Sequence, residues 1–304
     1  MKHLTLLTQS LRRSLGALVL IAAASAVAST MAQTSITLIS GAGAGTRDAA
    51  NQFTLDSGAT YQDAYIVGLM PNYHLIPGTQ YISASANGRG FPNATVHYRT
   101  TFQLPTGFSN PSFLIDIHAD NVATITLNGN LIGQQIDAEI EANFQNPTEQ
   151  YSTANASHFV TGTNVLEFDI KNYGDPSGFD YQAVVNYTAP TQVAIDIKPG
   201  AFPNTINLGS NGSVPVAILS SASFDATQVD PTTVTLAGAS VSLRGKGMPM
   251  AAQQDVNGDG LMDLVVHVST EALQLSDTDT QATLLGRTFS GLWVTGTDSV
   301  RIVP

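Results

Sequence analysis

From Ser35 onward the chain alternates hydrophobic and polar residues in short runs, which are separated by glycine, proline, asparagine and aspartate. This period of two is typical of half-buried β-strands, because successive side chains of a strand point to opposite faces of its sheet. The clearest run is residues 95–104, in which Val96, Tyr98 and Phe102 share one predicted face while polar residues occupy the other. No long stretch has the period of an amphipathic helix. The pattern therefore predicts an all-β protein.

Turn signals divide these runs into individual strands. Asn128-Gly129 lies between two runs and predicts a tight hairpin, because both residues tolerate the positive φ that a two-residue turn requires. Residues 137–144 are compatible with one or two helical turns. The other predicted strands lie at Phe113–Ile117, Val122–Leu127, Leu166–Ile170, Tyr181–Tyr187, Val193–Ile197, Val214–Leu219, Val234–Leu236, Leu264–Val268, Ala282–Leu285, Leu292–Val294 and Val300–Val303.

A small polar connector at residues 188–192 separates two groups of predicted strands. We therefore predict two β-sandwich domains, over residues 33–188 and 189–304. The first has the alternation of a jelly-roll-like sandwich. About seven or eight short strands in the second argue for an immunoglobulin-like outline.

The first 32 residues have the character of a secretory signal peptide. Three basic residues precede an apolar run over residues 15–28, which is shorter than the roughly 20 residues that span a membrane. Small residues follow, and cleavage is predicted after Ala28 or Ala32. The alternative is an uncleaved anchor. We expect a secreted protein, either extracellular or periplasmic.

Charge and cysteine content narrow the range of partners. The chain has 12 Lys and Arg against 23 Asp and Glu. Removing residues 1–32 takes away three basic residues, and 9 minus 23 gives a net charge of −14. This acidic balance argues against nucleic acid as a partner, since phosphates require a basic surface, and it favours cation binding. The chain has no cysteine, so its stability must come from the core and from any bound metal.

Residues 255–263 carry the most specific chemistry in the sequence. Side-chain oxygens recur at positions 1, 3, 5 and 9 of this stretch, and Gly258 and Gly260 allow sharp turns between them. Ca2+ is a hard ion that takes six to eight oxygen ligands in irregular geometry, so a loop of this kind suits it. The predicted ligands are the side chains of Asp255, Asn257, Asp259 and Asp263 and the carbonyl of Leu261.

The calcium prediction has a simpler competitor. Asp and Asn are common in tight turns because they bond their own backbone, so the loop requires no metal on composition alone. An EF-hand would also need a bidentate Glu at position 12, where this chain has Val266 within a predicted strand. We expect weak, structural Ca2+ binding of the kind found in extracellular modules.

Two short motifs in the first half resemble the paired signatures of galactose-binding-like jelly-roll domains. They are Leu127-Asn128-Gly129, with Gly133 beyond it, and Gly162-Thr163-Asn164-Val165-Leu166, which leads to Asn172. The resemblance covers about half of the chain. In that family the motifs shape a hairpin and the start of a strand, so the resemblance implies the fold and assigns no ligand contact.

The second half resembles a calcium-loop module that is common in exported bacterial proteins of unassigned function. The resemblance covers nearly all of residues 193–304, and its loop is similar to the β-hairpin calcium loops of integrin-type repeats. The matching motifs are Asp196-Ile197-Lys198-Pro199-Gly200, Pro203-Asn204-Thr205-Ile206-Asn207, Val214-Pro215-Val216-Ala217-Ile218-Leu219, Phe224-Asp225, Val229-Asp230-Pro231, the loop at residues 255–263, and Asp298-Ser299-Val300-Arg301-Ile302-Val303.

Other candidate site residues lie in the first half. Asp137, Glu139 and Glu141 offer carboxylates for glycosidase chemistry, although three acids so close together are more often a solvated surface. Turn chemistry accounts for the cluster at residues 118–121, and catalysis is the alternative. Aromatic rings that are able to stack on sugars, or to fill the core instead, are Tyr61, Tyr65, Tyr73, Tyr81 and Phe91. Trp293 is predicted to be a core or hairpin residue.

No catalytic signature is present, since the sequence has no cysteine nucleophile, nucleophile elbow or zinc-protease motif. We therefore predict a secreted, non-catalytic, calcium-binding protein that binds carbohydrate or mediates adhesion at the cell exterior, with an extracellular polysaccharide or other glycan as its partner. Two alternatives stay open. One is a carbohydrate-active enzyme, a glycoside hydrolase or lyase, with its site in the first domain. The other is a structural component of an envelope or matrix.

Overall fold

The computed structural model describes residues 33–43, 45–56, 58, 60–137 and 142–303. Within these ranges the regular secondary structure is β-strands and four 3-10 helices, with no α-helix. The predicted signal peptide, its two cleavage sites, and both Glu139 and Glu141 lie outside the described residues. No helix in the described ranges is long and apolar enough to cross a membrane.

The strands are numbered in chain order. Those of the first half are β1 Gln33–Ile39, β2 Arg47–Thr54, β3 Gln62–Ile66, β4 Ile82–Ser83, β5 Ala94–Leu104, β6 Ser109–Asp120, β7 Val122–Leu127, β8 Asn130–Gln134, β9 Glu149–Thr153, β10 Gly162–Asn172 and β11 Gly178–Thr188. Those of the second half are β12 Thr191–Gln192, β13 Ile195–Ile197, β14 Thr205–Asn207, β15 Ser213–Ile218, β16 Val229–Leu236, β17 Ala239–Ser240, β18 Ala251–Gln254, β19 Asp263–Ser269, β20 Gln281–Thr288, β21 Trp293–Ser299 and β22 Arg301–Val303. The 3-10 helices are Ala156–His158, Ala226–Gln228, Gly245–Gly247 and Thr270–Ala272.

The first eleven strands form one sheet in the order β8-β7-β10-β5-β2-β3-β4-β11-β6-β9, with β1 paired to β11. Phe168 on β10 contacts Phe179 and Tyr181 on β11, with ring centroids 5.0 and 4.6 Å apart, although the two strands are not neighbours in the sheet. The sheet therefore folds over on itself and encloses a hydrophobic core between its halves.

Strand β5 has the two faces that its alternation predicts. Val96, Tyr98 and Phe102 are buried in the first core, whereas Thr101 and Gln103 on the other face are exposed. Full burial of a side chain of this size contributes roughly 1.5–3 kcal/mol, so one face of a single strand supplies a substantial share of the stability of the core.

The hairpin at Asn128-Gly129 also forms. Both residues have positive φ, at 50° and 76°, as a two-residue turn requires. The Asn128 side chain donates to the carbonyl of His158 at 2.9 Å and to Oδ1 of Asn164 at 2.8 Å, and its Oδ1 accepts from the backbone N–H of Val165 at 2.9 Å. A single amide thus joins the hairpin to the start of β10.

The second half forms its own core between two sheets, β12-β21-β20-β16-β17 and β13-β15-β19-β18, with β14 paired to β22. Buried residues from both sheets, such as Val216, Val266, Leu236 and Leu284, belong to this one cluster. The predicted all-β, sandwich-type fold class is confirmed.

Candidate functional site

A cleft of about 460 Å³ opens where four connecting segments meet the end of β6. The segments are residues 67–81 between β3 and β4, residues 84–93 between β4 and β5, residues 142–148 ahead of β9, and residues 173–177 between β10 and β11. The side chains that bring chemistry to the cleft are those of Tyr73, Arg89, Asp120, Phe144, Tyr173 and Asp175.

Asp120 is the buried acid of this cleft. It is the last residue of β6 and is only 4% exposed, and its carboxyl accepts a hydrogen bond from the Tyr73 hydroxyl. Burial raises the pKa of Asp120 to about 6, because the charged form loses hydration, and the Tyr73 hydrogen bond opposes this rise. Asp120 therefore exchanges a proton near neutral pH, while an ordinary aspartate is fully ionised there.

Tyr73 lies in an aromatic cluster. Its ring centroid is 4.2 Å from that of Phe144 and 5.1 Å from that of Tyr81. Burial and the hydrogen bond to Asp120 raise the pKa of the Tyr73 hydroxyl far above its ordinary value. Tyr73 therefore remains a neutral hydrogen-bond donor to Asp120.

The other charged groups of the cleft are more exposed. Oδ1 of Asp175 accepts from the backbone N–H of Gly90 at 3.0 Å. Arg89 is exposed, and within the described part of the chain its guanidinium has no hydrogen bond or ion pair, although its charge lowers the pKa of Tyr73. The cleft thus combines a buried acid, a solvated carboxylate and a free cation.

Asp137 is the one acid of the predicted trio that lies within the described residues, and it does not line the cleft. Its carboxylate binds Nζ of Lys171 at 2.9 Å and accepts from the hydroxyl of Tyr173. The hydrogen bonds from Tyr173 and Lys171 lower the pKa of Asp137, so it is held ionised. This environment is the opposite of the one that a catalytic acid needs.

Residues 118–121 do more than form a turn. The His118 side chain contacts Asp180, Asp120 contacts Tyr73, and Oδ1 of Asn121 accepts from the backbone N–H of Tyr173 at 2.8 Å. All of these partners are distant in sequence. Local spacing carries no sign of them, so the sequence prediction of turn chemistry missed Asp120.

The predicted sugar-stacking tyrosines are dispersed. Tyr73 alone of this group lines the Asp120 cleft, and Tyr81 is buried beneath it. The guanidinium of Arg47 lies 3.3 Å from the ring centre of Tyr65, and that of Arg99 lies 3.5 Å from that of Tyr61. The remaining aromatics pack against protein: Phe91 against the first core, and Trp293 beneath Arg287.

The carboxylates of the loop at residues 255–263 accept hydrogen bonds from nearby backbone. Asp255 accepts from the N–H groups of Gly258 and Gly260, at 2.7 and 2.9 Å, and Asp259 accepts from that of Leu261 at 2.8 Å. Oδ1 of Asn257 accepts from the N–H of Asp259 at 3.0 Å.

Asp263 differs from the other loop acids because it is fully buried. Its two oxygens accept from the N–H groups of Ser220 and Val256, at 2.8 and 3.0 Å. In the described residues no three His, Asp or Glu side chains converge in a way that could hold a metal. Ca2+ binding by this loop stays a prediction.

Comparisons with known proteins give structural likenesses alone. No model of a protein family matches the chain, and no curated protein matches it. An FMN-binding β-glucuronidase from Facaelibacterium prausnitzii L2-6 aligns at 13% identity and a TM-score of 0.28, covering 90% of this chain and 40% of that one. A β-D-glucuronidase from Dictyoglomus thermophilum aligns at 12% identity and 0.28, covering 88% and 44%. The β-glucuronidase from Ruminococcus gnavus in complex with uronic isofagomine aligns at 11% identity and 0.31, covering 89% and 44%.

The chain thus spans less than half the length of these enzymes. The main functional prediction from the sequence, a non-catalytic protein for binding or adhesion, is contradicted by these comparisons, because the three solved structures named above are β-glucuronidases. We withdraw that prediction. The physical case for its carbohydrate-active alternative comes from the Asp120 cleft itself.

Proposed function

We propose that this chain is a carbohydrate-active enzyme whose site is the Asp120 cleft. The observation that carries the proposal is a buried carboxyl with a pKa of about 6, hydrogen-bonded by Tyr73 at the wall of an open cleft. A carboxyl in this state can protonate a glycosidic oxygen near neutral pH, which is the role of the acid in glycoside cleavage.

Asp175 is the natural second carboxylate, because it lines the same cleft and is exposed. In hydrolysis, Asp120 would give its proton to the leaving oxygen as the C–O bond breaks. The Asp175 carboxylate would take a proton from the attacking water, or would attack the sugar carbon itself before water releases the product. Either route consumes one water per bond cleaved.

The walls of the cleft suit a sugar. The rings of Tyr73, Phe144 and Tyr173 offer apolar faces, and neighbouring amides and carboxylates offer hydrogen-bond partners for hydroxyl groups. The guanidinium of Arg89, which is exposed and has no partner among the described residues, supports binding of a substrate that carries an acidic group, since Arg pairs with carboxylates in a bidentate manner.

The test is a screen for release of reducing sugars from neutral and acidic oligosaccharides by the wild-type chain and by Asp120→Asn. We expect the substitution to lower kcat/KM by about 10²–10⁴, the usual contribution of a general acid. Turnover by the wild type should fall as the pH rises above about 6, where Asp120 loses its proton.

Asp116→Asn is the matched control. Asp116 lies on the same strand as Asp120, bonds Gln150 at 2.9 Å and does not line the cleft. Activity that survives Asp120→Asn, or a wild type that cleaves none of the sugars, would contradict the proposed function.

We further propose that residues 33–188 form a galactose-binding-like jelly-roll domain, that residues 189–304 form a second sandwich domain, and that the protein is secreted. The two separate cores support the division into domains, and the bonds from Asn128 to Asn164 and Val165 link the two jelly-roll motifs. Calorimetry is expected to resolve two unfolding transitions, and a single cooperative transition would count against the division.

For secretion, mass spectrometry of protein recovered outside the cytoplasm should find a chain that begins at residue 29 or 33.

A further inference from the structure

Two of the segments that build the Asp120 cleft contact each other directly. The first segment, residues 67–81, carries Tyr73, and the second, residues 142–148, carries Phe144. The backbone N–H of His74 donates to the carbonyl of Phe144 at 2.8 Å, and Nδ1 of His74 lies 3.0 Å from the carbonyl of Asn146. The walls of the cleft therefore depend on how these two segments are held.

Beneath both segments lies a buried pair, His118 on β6 and Asp180 on β11. The two residues are register partners, they are 2% and 0% exposed, and Nδ1 of His118 lies 3.0 Å from Oδ1 of Asp180. Because a carboxylate can only accept, Nδ1 of His118 is the donor in this bond.

Each member of the pair reaches a different segment. Oδ2 of Asp180 accepts from the backbone N–H of Ile76 at 2.7 Å and from Oγ1 of Thr79 at 2.8 Å, both in the first segment. Nε2 of His118 lies 3.1 Å from Oγ1 of Thr148, in the second segment. The pair thus connects both walls of the cleft to two adjacent strands of the sheet.

We propose that His118 and Asp180 are positioning residues that clamp the two segments and thereby hold Tyr73 and Phe144 at Asp120. Neither residue lines the cleft, so each acts through the segments it holds. The pair is fully desolvated, and a buried polar network of this kind is rigid only while every member keeps its partner. The clamp itself is independent of the proposed function, but its catalytic consequence rests on it.

The chain contains a matched control for this pair. His97 and Asp169 are also register partners on neighbouring strands, β5 and β10, and they also bond through Nδ1 and Oδ1. Their side chains are 40% and 50% exposed, and neither residue bonds either wall segment. Substituting His97 removes the same chemistry without touching the clamp.

The test is hydrogen–deuterium exchange on the full chain, measured in peptides that cover residues 67–81 and 142–148. We expect His118→Ala to speed exchange by about tenfold or more in both segments, since it removes the bond to Thr148 in the second segment and leaves Asp180, which holds the first segment, without its buried partner. His97→Ala should leave both segments unchanged. Unaltered exchange in both segments of His118→Ala would overturn the proposal.

Two conservative variants distinguish the bond from His118 to Asp180 from the bond between His118 and Thr148. His118→Asn keeps a donor near the position of Nδ1, so it should retain protection of residues 67–81 and lose that of residues 142–148. His118→Gln places its amide near the position of Nε2, so it should retain protection of residues 142–148 and lose that of residues 67–81. Thr148→Val and Thr79→Val remove one hydroxyl each and should loosen one segment each. A uniform rise in exchange across the whole first core in all four variants would indicate general destabilisation and would also overturn the clamp.

The kinetic readout distinguishes this inference from the proposed function. If the chain cleaves sugar, His118→Ala should raise KM and lower kcat while leaving the pH dependence that Asp120 sets, because the acid itself is intact. If the wild type cleaves none of the sugars, the proposed function fails and the exchange results still test the clamp. Normal kinetics in a variant with loosened segments would overturn its positioning role.

Discussion

The loop at residues 255–263 and the cleft at Asp120 both gather carboxylates, but they stabilise them in opposite ways. Asp255 and Asp259 accept hydrogen bonds from backbone two to five residues away and remain partly or fully solvated. Asp120 is buried, and its partner Tyr73 lies 47 residues away in sequence. Asp255 and Asp259 therefore satisfy their hydrogen bonds locally, whereas Asp120 depends on the tertiary fold.

This difference shows why the regular spacing of acids is a poor guide to reactivity. Hydrogen bonds from backbone N–H groups favour the charged form of a carboxyl, and short spacing within one turn supplies them. The pKa of Asp120 is raised because burial removes hydration from its charged form, and a raised pKa is the condition that acid–base chemistry requires.

The largest expected effect on stability concerns Asp263, the one loop acid that is buried in the manner of Asp120. Asp263→Ala would strand the N–H groups of Ser220 and Val256, so we expect a loss of about 2 to 4 kcal/mol in the free energy of unfolding by urea. Asp259→Ala, at an exposed position, should cost under about 0.5 kcal/mol. Equal losses of stability in the two variants would contradict the distinction between acids that bond their own turn and acids that bond distant segments.

A smaller effect is expected for the pH dependence of stability in Asp120→Asn. The pKa of Asp120 is about 6 in the folded protein against an ordinary value of 3.8, so the folded state binds the proton more tightly. The stability of the wild type should therefore fall as the pH rises from about 4 to about 6, and it should not recover above that range. The neutral amide of the variant does not carry this penalty.

Urea unfolding at pH 4, 5, 6 and 7 measures this difference directly. We expect Asp120→Asn to match the wild type near pH 4 and to exceed it by about 1 to 3 kcal/mol at pH 7. Asp116→Asn is again the control on the same strand. A constant difference between Asp120→Asn and the wild type at every pH would mean that the pKa of Asp120 is not raised in the folded protein.

The smallest expected effect is that of Ca2+ on the loop. Extracellular modules bind Ca2+ with a Kd of about 10⁻⁴ to 10⁻³ M, so 1 mM Ca2+ should stabilise the fold by about 0.4 to 1.4 kcal/mol. The measurement is thermal unfolding in EDTA and in 1 mM Ca2+, with Asp255→Asn as the variant that should lose the response. Identical melting curves in the two solutions would end the calcium hypothesis.

The strands and the tight turn could be predicted from the sequence because their causes are local. The alternation of Val96, Tyr98 and Phe102 indicates the buried face of β5, and Asn128-Gly129 determines its hairpin without help from the rest of the chain. Each of these features depends on residues within one strand or one turn.

The cleft could not be predicted because its residues meet only through tertiary contacts. Tyr73, Arg89 and Asp175 lie in connecting segments with no period, and Asp120 looks in the sequence like an ordinary turn residue. The signal of the cleft in the sequence was the occurrence of two polar residues, His118 and Asp120, at the end of a hydrophobic strand. Their burial is produced by segments that the alternation pattern does not describe.

The amide of Asn128 is also a site at which this protein is open to chemical degradation. An asparagine followed by glycine cyclises readily to a succinimide, and hydrolysis then leaves aspartate or isoaspartate in its place. The new carboxylate would lose the donor that now reaches His158 and Asn164 and would face the side-chain oxygen of Asn164 with a negative charge. Chemical damage at one peptide would therefore loosen two distant parts of the first sandwich at once.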